Sequence, residues 1–336
     1  MGNLAVVLNR RALALALIPV FALAGCGAPA ATSTPTPNPG ASSVVPSPSP
    51  SPSASVPVRT NLDGIKVSGA WGKLPKVTIP APFAIDKTQA KVLIAGKGAE
   101  VTADGLFSFR YYLAAGPTGK KLEESFSSKS DFTTTLSGLI KGFQTTLVGK
   151  KVGSRVLLAV TGPDGYDSQG GSQDGSIKVG DTLIFVVDIV GAAVAQPSGK
   201  TVTPPAGLPT VTGGAADKPT VTMPGTAAPA AMSAVSLIEG TGAKVAKDDT
   251  IYVRYVGYSW KTGKLVDDQW TPNDGLLSST ISGWQTGLLG KRVGSRVLLV
   301  LPPKDGYPQG SNNPPLEAGD TIVYVIDILY TYKKTA

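Results

Sequence analysis

The sequence holds no histidine and a single cysteine in 336 residues. That excludes Ser-His-Asp and Cys-His catalysis, histidine-based zinc sites, cysteine-rich metal sites and any disulfide within the chain. Aromatic residues are sparse at 7%, and charged ones make up only 16%. With 40 Gly and 28 Pro, a fifth of the chain consists of residues that break helices, so strands and turns must carry the folded parts. What is present is enough apolar material, 42% of 336 residues, for two domains of ~100–200 residues each.

Long hydrophobic runs are also missing. Arg10 and Arg11 precede an uncharged stretch from Ala12 to Ala24, shorter than the ~20 residues a membrane-spanning helix needs, which reads as a secretory signal over residues 1–25. It ends in Leu23-Ala24-Gly25-Cys26, small residues leading into the lone cysteine, a pattern that resembles the lipobox of bacterial lipoproteins. The resemblance implies cleavage before Cys26, a diacylglycerol on its sulfur and display outside the cytoplasm, anchored to the membrane. Loss of residues 1–25 removes two Arg and no acid, so the net charge falls from +8 to +6. Scattered basic residues and an export signal argue against nucleic acid as a partner. Residues 26–61 read as a disordered tether: Gly27 to Val58 hold nine Pro, eight Ser and no charge, too little apolar surface to fold. In polyproline II such a tether would reach ~100 Å.

The strongest signal is a repeat. Gly149 to Leu158 recurs as Gly290 to Leu299 with nine identities in ten, and the same offset relates Gly142 to Gly283, Gln144 to Gln285 and Asp164-Gly165-Tyr166 to Asp305-Gly306-Tyr307. Two tandem copies of one domain follow, over residues 62–192 and 204–333, with 193–203 as the linker. Each copy reads as mostly β. Thr250 to Gly257 alternates, Arg296 to Leu301 and Thr321 to Leu329 are aliphatic or β-branched runs, and one short helix is expected near Gly283 to Leu289, stopped by Gly290. The fold class expected is α+β, a curved antiparallel sheet wrapped around one short helix in each copy.

The order Val253-Arg-Tyr-Val-Gly257, Gly263-Lys-Leu-Val-Asp267, Ile281-Ser-Gly-Trp284, Gly287-Leu-Leu-Gly290, Asp305-Gly-Tyr307, Pro314-Pro315 and Thr321 to Leu329 resembles the FKBP-type peptidyl-prolyl isomerase family. The match covers about 100 residues of each copy. The ~30 residues ahead of each match, such as Gly64 to Ile85, look like an added strand region. The resemblance implies an apolar pocket between sheet and helix. In the second copy it would be built from Tyr255, Val266, Asp267, Ile281, Trp284, Tyr307 and Tyr324, and in the first from Tyr111, Leu122, Glu123, Ile140, Phe143, Tyr166 and Phe185, with Phe132 as a further aromatic. Trp284 would be the floor, the backbone N–H of Ile281 and the hydroxyl of Tyr307 would face carbonyls flanking a proline, and Asp267 would accept from Tyr255 or polarise the twisting amide.

Such chemistry fits a chain without histidine. Rotating an X-Pro bond requires breaking amide conjugation, with a barrier of ~18–20 kcal/mol, and needs no nucleophile, metal or cofactor. The first copy departs further from the family pattern: Phe143 stands for the usual Trp, Glu123 for Asp, and Asp174 to Ile177 lack the Pro-Pro pair. In the second copy Val266 replaces an aromatic and Pro308 replaces Gly. The expectation is therefore a monomeric isomerase of proline-containing polypeptides, acting mainly through the second copy. The alternatives are a non-catalytic module that binds proline-bearing or hydrophobic segments in the same pockets, and a passive spacer. Gly149-Lys150 and Gly290-Lys291 read as turns, because the earlier glycine and the following Ser or Thr of a phosphate loop are missing; Asp267, Asp268 and Asp274 are spaced wrongly for a calcium loop.

Overall fold

A computed structural model describes residues 56–334. The signal segment 1–25, Cys26 and the tether up to residue 55 lie outside the described residues. Of these, residues 58–334 belong to one compact unit.

The first copy runs β1 (Val58–Arg59), β2 (Lys66–Ser68), β3 (Lys76–Thr78), β4 (Ala84–Ile85), β5 (Gln89–Ile94), β6 (Phe107–Ala115), β7 (Lys121–Glu124), β8 (Phe132–Thr134), α1 (Lys141–Leu147), β9 (Arg155–Val160) and β10 (Leu183–Ala192). The second runs β11 (Gly199–Thr201), β12 (Thr210–Thr212), β13 (Thr220–Thr222), β14 (Ser233–Gly240), β15 (Thr250–Ser259), β16 (Leu265–Leu276), α2 (Ser282–Leu288), β17 (Arg296–Leu301), β18 (Ser311–Asn312), β19 (Pro315–Leu316) and β20 (Ile322–Tyr332). The first sheet has the order β5-β9-β10-β6-β7, with β8 also on β6; the second has the order β11-β14-β17-β20-β15-β16. All the pairings within these two sheets are antiparallel, and each sheet carries one seven-residue helix, the α+β fold the sequence pattern implies. Gly290 adopts φ +75° just past α2, the left-handed position that lets the chain leave a helix.

The central strands β9, β10, β17 and β20 are apolar on both faces because both faces are covered. In the second copy the helix side packs Trp284 and Leu288 against Val297, Leu299 and Ile326, whereas the opposite side packs Leu298, Val300 and Val325 against Val221 and Val211 of the β12–β13 hairpin. The first copy repeats this cover with Val67 and Val77 of β2–β3 over Leu157 and Ile184. The strand region ahead of each copy is thus a lid over a second core.

Buried ion pairs pin each lid. Arg296 donates to both oxygens of the fully buried Asp327, from Nε at 2.7 Å and Nη2 at 3.0 Å, and its remaining donors reach the carbonyls of Gly214, Ala215 and Asp217 in the hairpin turn. Arg254 adds a bond of 2.8 Å to the same carboxylate and lies 4.2 Å from the Trp270 ring centroid. In the first copy Arg155 holds Asp188 at 2.6 and 2.8 Å and donates to the carbonyls of Gly69 and Lys73. Arg110, which occupies the place of Arg254, turns instead to Asp131.

Two boundaries differ from the sequence reading. Residues 58–61, read as tether, join the fold: β1 pairs in parallel with β4 and Arg59 lies over the Phe83 ring, just ahead of the buried Leu62. Residues 199–201, read as linker, form β11 on the edge of the second sheet. Neither segment carries an alternating pattern of its own, since each is a short edge element held by a neighbour. The copies also touch: Tyr330 donates to Ser108 Oγ at 2.8 Å, and the Val194 N–H to the Leu329 carbonyl at 2.9 Å.

Candidate active site

In the second copy, two strands and the helix bring the expected aromatics together. Tyr255 on β15, Tyr324 on β20 and Trp284 on α2 meet edge-on, with ring centroids 4.9 Å apart for Tyr255–Trp284, 5.2 Å for Trp284–Tyr324 and 5.7 Å for Tyr255–Tyr324. Edge-to-face contacts of this kind satisfy the ring quadrupoles and fix the rings relative to one another. Trp284 lies at the bottom, 7% exposed, while Tyr255, Val266, Ile281 and Tyr307 pack around it half-buried. The indole N–H of Trp284 is buried and has no hydrogen-bond partner among the described residues. Ile281 caps the N-terminus of α2, where its own N–H lies outside the helical bonding pattern.

The carboxylate is held by a different tyrosine from the one the sequence suggested. Tyr324, not Tyr255, donates to Asp267 Oδ2, at 3.0 Å. The reason is a register across three strands: Gly257 of β15 stands opposite Asp267 on one side and opposite Tyr324 on the other. A Cβ at Gly257 would lie 2.8 Å from both Asp267 Cβ and Tyr324 Cε1, so glycine is what lets the phenol reach across the strand to the carboxylate. Sequence reasoning placed Gly257 in the motif without a role; a glycine between Val256 and Tyr258 in an otherwise continuous strand was the available signal.

Burial dominates the electrostatics. It raises the Asp267 carboxyl above its ordinary value, an effect the Tyr324 hydrogen bond partly opposes and the Asp268 charge reinforces. Tyr255 is pushed up to about 12 by burial, then by the charges of Asp267 and Tyr307. Tyr324 is driven far above the usual phenol range by burial first, then by its hydrogen bond with Tyr307 and the charge of Asp267. Both phenols therefore keep their protons, and that of Tyr324 is donated to Asp267 in their hydrogen bond. Among the described residues no three His, Cys, Asp or Glu side chains gather as a metal site requires.

The first copy assembles the equivalent residues differently. Phe143 on α1 is 3% exposed and meets Phe185 edge-on at 4.8 Å, and Phe109 touches both Phe143 (5.7 Å) and Phe132 (5.3 Å), so Phe132 joins this aromatic cluster. Leu113 fills the place of Gly257, standing between Glu123 and Phe185, and Phe185 has no hydroxyl to offer. The longer Glu123 instead hydrogen-bonds Tyr111, whose phenol is raised by burial and by that carboxylate. Burial raises Glu123 as well, and it pushes Tyr166 up to about 12, with the Glu123 charge adding to it. Leu122, Ile140 and Tyr166 remain half-buried at the rim.

A model of the FKBP-type peptidyl-prolyl cis-trans isomerase family matches residues 97–190 and 242–329. The chain is 34% identical over 117 residues to a probable FK506-binding protein of Corynebacterium glutamicum, covering 34% of this chain and 98% of that protein. It is 33% identical over 119 residues to an FK506-binding protein of Streptomyces anulatus, covering 34% and 96%. Among solved structures, the three FKBP domains of wheat FKBP73 cover 74% of this chain and 95% of that one, with 17% identity and a TM-score of 0.31.

Proposed function

Because the chain belongs to the FKBP-type peptidyl-prolyl cis-trans isomerase family and so is an isomerase of X-Pro bonds, we propose that turnover resides mainly in its second copy and serves proteins outside the cytoplasm. The observation that carries this reading is the Trp284–Tyr255–Tyr324 triangle with its Tyr324–Asp267 hydrogen bond.

A proline ring lying over the indole would be enclosed by Tyr255, Val266 and Tyr324. The planar amide is the more charge-separated form and the twisted amide the less, so an apolar, water-poor hollow disfavours the ground state more than the transition state. Binding energy from the rest of the peptide holds the bond there. Tyr307 and the Ile281 N–H face the carbonyls beside the proline, and Asp267 orients Tyr324 and lies beside the carbon that loses conjugation. No bond to the protein forms at any step.

For the first copy, the specific observations favour binding without appreciable turnover. Phe143 and Phe185 pack edge-on, Tyr111 is buried, and Leu113 occupies the place of the glycine that the phenol crosses in the second copy. Proline-containing or hydrophobic segments are the ligands of both copies in this reading.

Placement outside the cytoplasm rests on the segment ending in Cys26, with diacylglycerol on that sulfur as the anchor and the Pro/Ser-rich residues after it as the spacer. Two measurements test the proposal. Isomerisation of a proline tetrapeptide by the full chain should fall about 100-fold in Trp284→Ala and persist in Phe143→Ala; equal loss in both would move the activity to both copies. Incorporation of labelled fatty acid in cells should disappear in Cys26→Ser; label that persists there would refute the anchor.

A further inference from the structure

Strands β5 and β14 are the same strand in the two copies: Ile94 pairs with Arg155 as Ile238 pairs with Arg296. Their outer edges differ. In the second copy β11 adds a strand to β14, with Gly199 opposite Gly240, Lys200 opposite Glu239 and Thr201 opposite Ile238, and Val202 donating to the Leu237 carbonyl. Gly199 permits the close approach, since a Cβ there would lie 1.8 Å from the Glu239 carbonyl oxygen. Under this cover Leu237 and Gly240 are buried and Ile238 is half-buried.

In the first copy β5 ends its sheet, and among the described residues no strand pairs with its outer edge. Val92 is 43% and Ile94 37% exposed, and Lys91, Ala95 and Lys97 are exposed beside them. The chain's own preceding residues are diverted. Pro57 holds the place of Thr201 and has no N–H to donate, and Val58–Arg59, next in line, pair with β4. An unpaired edge with exposed β-branched residues is a template for one more strand.

We propose that the outer edge of β5 takes up an extended, acidic, proline-free segment of a client polypeptide as an added antiparallel strand. The register seen on β14 supplies the geometry, with Leu93, Ile94 and Ala95 standing for Leu237, Ile238 and Glu239. Val92 and Ile94 give the apolar contact. The charge preference follows from Lys91 and Lys97 at either end, with no acid on β5 itself; Asp86 lies before the strand, and Glu100 beyond it is paired with Lys151. A proline in the guest would remove an N–H from the ladder, so this site selects the chain segments that the aromatic hollows do not. It is independent of the isomerase reading: the edge holds a client while prolines elsewhere in it are turned.

The probe is a fluorescent peptide with the sequence of residues 198–203 carrying Lys200→Glu, titrated into the full chain. Binding is expected to weaken tenfold or more in Val92→Lys/Ile94→Lys while tetrapeptide isomerisation is unchanged, and the amides of residues 92–95 should exchange more slowly in the unsubstituted chain when peptide is present. Binding indifferent to the double substitution, or no slowing of exchange, overturns the proposal. It is also overturned if deleting residues 26–55 creates the binding, which would make the chain's own segment the occupant, or if a concentration-dependent dimer disappears in Ile94→Lys, which would make it a second copy. Should the double variant fold poorly, the exchange measurement on the unsubstituted chain decides.

Discussion

The two copies share nine residues of ten across the turn between helix and sheet, yet the side chains packed against those helices make different contacts. In the second copy an indole, two phenols and a carboxylate form a connected polar and aromatic set; in the first, two phenylalanines meet edge-on and the carboxylate pairs with the buried Tyr111. On the far side of the sheet the copies stay alike, each with an Arg–Asp cluster and a hairpin lid.

The largest difference should appear in stability. Asp327 keeps Arg254 when Arg296 is lost, whereas the other arginine of the first copy, Arg110, is committed to Asp131, leaving Asp188 among the described residues with only the Gly72 N–H besides Arg155. Arg155→Ala therefore strands a buried charge and is expected to cost ~3–5 kcal/mol, and Arg296→Ala markedly less. Denaturant unfolding of each full-chain variant measures this, and equal costs would break the contrast. Next comes turnover. Trp284→Ala should lower isomerisation about 100-fold, ~2.7 kcal/mol of transition-state binding, against no detectable change for Phe143→Ala.

A gain-of-function exchange sharpens the comparison further. Phe143→Trp, Glu123→Asp and Phe185→Tyr together should not create activity in a Trp284→Ala background, whereas adding Leu113→Gly should, by about tenfold over that background. Conversely, Gly257→Ala should displace Tyr324 and cost the second copy about tenfold, ~1.4 kcal/mol. The smallest effect concerns pH. Asp267 and Glu123 are both raised in the folded protein, so each holds its proton to a higher pH than the unfolded chain does, and folding loses stability as pH rises through the raised value. Asp267→Asn and Glu123→Gln should each remove a fraction of a kcal/mol of that pH dependence, because the groups are half-exposed and screened. Unfolding free energies from roughly pH 3 to 8 read it out; opposite signs in the two copies would contradict the shared cause.

Much of this architecture was legible in the sequence. The repeat gave the domain count, the aliphatic runs gave the central strands, and the residues from Val253 to Tyr324 that resemble the family converge around Trp284. What stayed hidden depends on neighbours across the sheet. Whether Tyr255 or Tyr324 binds Asp267 is decided by Gly257 standing between two strands separated by more than fifty residues, and no single strand encodes that register. The hairpin lids were visible only as extra strands. Their anchoring arginines carry no signal in the sequence, because a guanidinium that donates to turn carbonyls leaves no pattern in the turn itself.

The bond from Tyr330 to Ser108 ties the end of the last strand back to the first copy, and the one from Val194 to Leu329 ties it to the segment that joins the copies. On the proposal that both copies hold client segments, two prolines in the same guest would compete or cooperate according to their spacing along it.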